Sequence, residues 1–181
     1  MAEYEPRRSG VAIELKPHAY DPVTMPELFE GVLPRRIVAF VIDLIIVAVP
    51  ILLAAVLVLV FAVFTLGLGL ILFWLLGPAA VVWALCYVGF TIGSAASATI
   101  GMRVMDLEMR TWYGAPAYGL LGAVHAVVFW LTVSTLTPLI LLVALVNQRQ
   151  RTLHDILVGV IVINNPARAA ALRRPPPQLG G

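Results

Sequence analysis

Ile37–Phe64 reads IVAFVIDLIIVAVPILLAAVLVLVFAVF, an apolar stretch with one formal charge, Asp43, and one proline, Pro50. A bilayer core about 30 Å thick needs on the order of 20 helical residues to cross it, so this stretch is long enough to span. The poverty of charge extends beyond it. From Ile37 to Met102 the chain carries Asp43 alone, and from Thr111 to Gln148 it carries no charge at all. Every other charge in this 181-residue chain lies outside those two blocks. A water-loving minority is thus attached to two apolar blocks, and a soluble domain with a single core is excluded, since it could not hide so much apolar sequence. Charges are scattered from Met1 to Pro34 with no apolar run of signal length, so a cleaved secretory signal is not expected. The net charge of +2 implies no nucleic-acid surface.

The first block divides into two spans, one from Ile37 to about Val60, kinked at Pro50, and one from about Leu70 to about Thr91. Thr65-Leu66-Gly67-Leu68-Gly69 is the breaker cluster between them and carries no charge, so the turn is short. Gly93-Ser94-Ala95-Ala96-Ser97-Ala98-Thr99 is a run of small residues that lets helices approach closely in lipid. Cys86, the single cysteine, cannot form an internal disulfide and reads as a small buried apolar residue.

Gly114 to Asn147 exceeds one span and falls short of two, with a polar break at Ser134-Thr135-Leu136-Thr137-Pro138. All twelve basic residues lie before residue 37, between Arg103 and Arg110, or after Gln148. Basic residues collect on cytoplasmic flanks. Placing all three groups in the cytoplasm makes the third block a bent or partly re-entrant helical hairpin, with a single crossing, hence three spans in all, as the alternative. Trp112, Tyr113 and Tyr118 then stand where the block enters the membrane. Outside the spans, in Arg103 to Arg110, Met105, Leu107 and Met109 alternate with Asp106, Glu108 and Arg110, and Ile156 to Ile163 is β-branched and short. These two segments are expected to pair as a small cytoplasmic two-stranded β ribbon. The fold class is therefore an all-α membrane protein, a helical bundle carrying one ribbon. Residues 1–29 form a flexible cytoplasmic tail, 30–165 the membrane domain, and 166–181, with Pro175-Pro176-Pro177, a disordered tail.

Asp43 is the charge that stands out. It lies two helical turns, about 10 Å, beyond Arg36, where an acid costs roughly 2.5–3.5 kcal/mol to insert and needs a partner. Arg36 is one candidate and His125, at comparable depth in the third block, the other; the three form a hypothetical ion or proton site. Gln148-Arg149-Gln150-Arg151-Thr152-Leu153-His154-Asp155 closes the chain's polar elements. Arg149, Arg151 and Asp155 read as a topology anchor with interfacial ion pairs. No nucleophile, phosphate-binding loop or metal-ligand cluster accompanies them, so no catalytic residue, metal or cofactor is expected and the protein is not an enzyme.

The segments Arg36-Ile37-Val38-Ala39-Phe40-Val41-Ile42-Asp43, Thr99-Ile100-Gly101-Met102-Arg103 and Arg151-Thr152-Leu153-His154-Asp155-Ile156-Leu157-Val158-Gly159 resemble the three signatures of the RDD family of bacterial multi-pass membrane proteins. The resemblance covers about residues 30–165. It maps the family's Arg and two Asp onto Arg36, Asp43 and Asp155, with Thr99, Gly101, Arg103, Arg151 and His154 in the flanking signature. Where family members often carry an Arg in the third block, this chain has His125, a side chain that can be neutral at pH 7. The resemblance implies a bacterial multi-pass membrane protein, expected in the inner membrane, and the placement of the basic residues puts both termini in the cytoplasm. Two roles follow: a non-enzymatic accessory or scaffold protein, or a small cation/proton or small-solute transporter using Asp43. The expected partners are the lipid bilayer and a homo-oligomer or another membrane protein.

Overall fold

The computed structural model describes residues 19–136 and 149–173. Its first long element, α1 (Val32–Phe64), is the stretch read above, extended by a turn at its start and running through Pro50 without a break. At 1.5 Å per residue its 33 residues reach about 50 Å, more than a hydrocarbon core requires. Thr65 ends it. The Thr65 hydroxyl donates to the Phe61 carbonyl at 2.8 Å and accepts the Gly69 amide at 2.8 Å, clamping the turn. A 3-10 segment, Leu68–Leu72, leads into α2 (Phe73–Ile92). α1 and α2, each with its flanking 3-10 turn, are long and apolar enough to cross a membrane. Their outer faces stay uncovered, as Leu57, Phe64 and Trp74 show at 69%, 82% and 85% exposure. Cys86 is exposed on α2, not buried as its neighbours in sequence suggested. An apolar surface of this kind is what lipid covers.

After α2 the chain enters a packed, polar end. Short helix α3 (Ile100–Val104) precedes strand β1 (Leu107–Thr111), and α4 (Gly119–Leu136) returns along α2. Small residues set that crossing. A Cβ on Gly119 would lie 2.6 Å from the Gly89 carbonyl, and one on Gly93 would lie 3.0 Å from the Gly119 Cα. The Gly93–Thr99 run therefore serves packing at its start, as the sequence suggested.

Beyond residue 148 come α5 (Leu153–Val158), strand β2 (Val160–Asn164) and α6 (Pro166–Arg173). β1 and β2 pair antiparallel, Leu107 opposite Asn164 and Thr111 opposite Val160. The ribbon exists but is shorter than expected. Residues 103–104 and 156–158 belong to α3 and α5, because both segments first complete a helical turn. Gly159, at φ +73°, then ends α5 and turns the chain into β2.

The ribbon is buried on both faces. Leu107, Met109, Val160 and Val162 pack with Val32, Ala39, Ile92 and Met102, while Ile161 and Ile163 pack with Leu28, Phe29 and Ala169. Glu108, on the charged side of that alternation, is buried and held by Arg110 at 2.9 Å. The second cluster also revises the tails. Residues 19–30 fold against the ribbon, and Pro166–Arg173 is a helix whose Arg173 meets Glu27 at 2.6 Å. Buried Asn164 fixes that layer, donating to the carbonyls of Glu27 at 2.8 Å and Glu30 at 3.0 Å and accepting from Arg35 at 2.6 Å. The remaining tail residues, 1–18 and 174–181, lie outside the described residues, as does the second half of the expected hairpin, 137–148.

α3 crosses α1 at Gly101, whose Cβ would collide with the Ala39 carbonyl and sit 2.9 Å from the Asp43 carboxyl carbon. Gly101→Ala is expected to lower the thermal midpoint of the purified protein by several degrees or abolish its folding. Gly77→Ala, where nothing lies within 4 Å, should leave the midpoint at or above wild type.

Candidate functional site

The first three amides of α3 have no partner within the helix. Thr99, at its N-cap, accepts the Met102 amide at 3.2 Å, Asp43 accepts the Gly101 amide at 2.7 Å, and the Tyr87 hydroxyl accepts the Ile100 amide at 3.3 Å. The three side chains are themselves joined. Tyr87 donates to Asp43 Oδ1 and Thr99 to Asp43 Oδ2, both at 2.6 Å. Asp43 on α1 thus closes the start of a helix belonging to another part of the chain, and its charge faces the positive end of the peptide dipoles. Arg103 finishes the corner. It donates to the carbonyls of Ala98 at 3.0 Å and Thr91 at 3.2 Å and to the Ser94 hydroxyl at 2.6 Å.

A second carboxylate centre lies where α1, α4 and α5 meet. Asp155 is fully buried. Arg36 donates to it with both ends of its guanidinium, Nη1 to Oδ2 at 2.6 Å and Nη2 to Oδ1 at 3.0 Å. His125 Nε2 lies 2.9 Å from Oδ1, and the Thr152 amide donates to Oδ2 at 2.9 Å. The last contact makes Asp155 the cap of its own helix. Arg151 lies across α5, donating to the Asp155 carbonyl and to the Val160 carbonyl, each at 2.9 Å. Burial alone would push the Asp155 carboxyl up. The Arg36 charge and the His125 hydrogen bond overcome that and hold it well below the usual carboxylate range. Neighbouring His154 goes the other way, because burial pushes its imidazole down to about 4 against the opposing pull of Asp155. Its Nε2 meets the Thr152 hydroxyl at 2.8 Å, and its ring packs edge-on against Phe129 with centroids 5.1 Å apart.

The three residues expected to share one site are divided between two. Asp43 meets neither partner assigned to it among the contacts described, while Arg36 and His125 converge on Asp155. Tyr87, Thr152 and Gln150 were missed. Gln150 accepts the Leu33 amide at 2.8 Å through its side chain and the Arg36 guanidinium at 3.3 Å through its carbonyl. Of these, Tyr87 left a signal, being a hydroxyl in a nearly uncharged block. Arg103, Arg151 and His154 all take part in the corners described.

Ligand atoms of His125, His154 and Asp155 lie within 4.8 Å of one another, a spacing that could hold a metal ion. The carboxylate, however, already receives four hydrogen bonds, two from a guanidinium. A metal would have to displace Arg36 or face its charge, which makes the group a poor metal centre.

A family model, the RDD family, matches residues 31–159, well over half of the chain. Neither the curated proteins nor the solved structures contain a match.

Asp155→Asn removes the counter-charge of a nearly buried Arg36 and should cost about 3–5 kcal/mol of unfolding free energy in detergent. His154 sets a pH dependence. Its ordinary value of 6.5 falls to about 4 on folding, so the unfolded chain binds the extra proton between those values. Stability should be full above pH 6.5 and fall by about 3 kcal/mol as pH drops to 4. Thermal unfolding across that range checks it, and His154→Gln should flatten the curve.

Proposed function

The chain belongs to the RDD family, and from that premise we propose that it is a non-enzymatic accessory or scaffold protein of the bacterial inner membrane, whose signature charges hold its polar end together. Its two apolar helices and its family make it a membrane protein. One observation carries the proposed role. Both oxygens of Asp43 are held at 2.6–2.7 Å by Tyr87, Thr99 and Gly101 of this same chain. A carboxylate that carries protons or cations must exchange partners, whereas this one closes a helix and would open it on release. Asp155 is likewise engaged by four donors. The uncovered apolar faces of α1 and α2 suit lipid, a second copy or another membrane protein.

The competing transport reading draws on one feature, that Asp43 is only partly buried. Flux separates the two. Reconstituted in liposomes, the scaffold protein should show no proton-coupled cation flux above empty vesicles, and Asp43→Asn should lower stability and yield. Robust flux in the wild type that vanishes in a folded Asp43→Asn protein would establish transport.

For the third block we propose a hairpin with both termini cytoplasmic. The support is that α4 begins beside α2's end, and that Gln150 and Asp155 meet Leu33, Arg36 and His125 at the same polar end. The chain thus leaves this end at α4 and is found there again beyond residue 148. In a Cys86→Ala background, Gly181→Cys should resist an impermeant maleimide in intact cells and react after lysis. Labelling in intact cells would reverse this topology.

A further inference from the structure

An open groove of about 600 Å³ lies at the polar end, between the Trp112–Tyr113 corner after β1, Tyr118 and Leu121 at the start of α4, and Arg151 and Ile156 around α5. Its walls join two chemistries. Arg151 is only 5% exposed, and its guanidinium lies 4.0 Å from the centre of the Trp112 ring. Its Nε and Nη2 are occupied by the Val160 and Asp155 carbonyls, while its Nη1 donates to no described residue. A buried guanidinium with an unused donor, lining a groove, is a receptor for an oxyanion. The nearest acid does not compete for it. The Asp155 carboxylate is held by Arg36, and a second cation, Arg149, lies 5.7 Å from the same Trp112 ring.

The rest of the groove is apolar and opens outward. Ile156 and Tyr118 are exposed, and next to them Leu157 and Leu120 are more so, at 64% and 72%. A free anion in water has no use for such a margin. Tryptophan and tyrosine at the edge of an apolar helix are the residues that settle at the level of lipid headgroups. Buried cation, aromatic rim and apolar lip therefore follow one another in the order of a phospholipid's own parts.

We propose that this groove binds one anionic phospholipid, its phosphate at Arg151 and an acyl chain along Tyr118, Leu121 and Ile156. The site is the same whether the protein scaffolds or transports, and it rests only on the polar end lying at a bilayer surface. Occupancy would bridge α4, α5 and the β1 corner, and so stiffen the region around Asp155.

Native mass spectrometry of the full chain, with phosphatidylglycerol and phosphatidylcholine of matched acyl chains, tests it. Phosphatidylglycerol should be retained at least tenfold better, and it alone should raise the thermal midpoint. Ile156→Glu places an anion in the groove without touching the bonds of Arg151, and should cut that retention at least tenfold while the midpoint without lipid holds. If that variant does not fold, Tyr118→Glu brings the same charge from the α4 side. Equal retention of the two lipids, or unchanged retention in the folded glutamate variants, would overturn the site. So would inorganic phosphate alone matching the lipid's protection, since that assigns the groove to a free anion.

Discussion

Arg36 and Asp155, 119 residues apart, meet through two hydrogen bonds, and the carboxylate is wholly buried. A carboxylate with no exposure is tolerable only when its charge is matched and its lone pairs are filled, and every neighbouring element is placed to meet that condition. α1 brings the guanidinium, α4 brings His125, and the backbone of α5 brings the Thr152 amide. α5 has six residues, too few to persist on its own. It exists because its cap is also half of the ion pair. Ending at Gly159, it delivers β2 to β1, and with the ribbon come both hydrophobic clusters.

The other partnered carboxylate, Asp43, does the same kind of work by a different route. Asp155 caps the helix it belongs to; Asp43 caps α3 from across the bundle, with Tyr87 and Thr99 completing the set of amide partners. Both acids lie against the starts of short helices, where unpaired amides favour negative charge. The molecule consequently has two unlike halves. One end is packed like a soluble core around polar corners, and the other presents bare apolar helices whose stability is the bilayer's to supply.

What was legible in the sequence follows from this division. The apolar blocks, the short turn at Thr65 and the pairing of β1 with β2 depend on one-dimensional patterns, charge density and alternation, and were readable. Asp43 was recognised as needing partners, but depth along a helix is one coordinate and does not tell which neighbour stands beside it. Hence His125 was matched to the wrong acid. The ribbon was read too long because its approaches are single helical turns fixed by caps, Thr99 with Asp43 and Thr152 with Asp155, which leave almost no periodicity. Residues 19–29 and 166–173 were read as parts of flexible tails because charge and proline usually mean that. Asn164, a polar residue within an apolar strand, was the unread sign that another layer would cover β2.

The ribbon has a consequence for how the protein is made. Its strands are separated by all of α4 and by residues 137–148, and Asp155, the partner of Arg36, is made only just before β2. During synthesis α1 and α2 are complete before Thr99 and Asp155 are made, so Asp43 waits for its hydroxyl partner and Arg36 for its counter-ion. The first helix is delivered provisionally and becomes fixed only when nearly the last residues of the fold emerge. A chain that stops short of Asp155 leaves Arg36 without its partner, so the fold is locked only by residues made late in it.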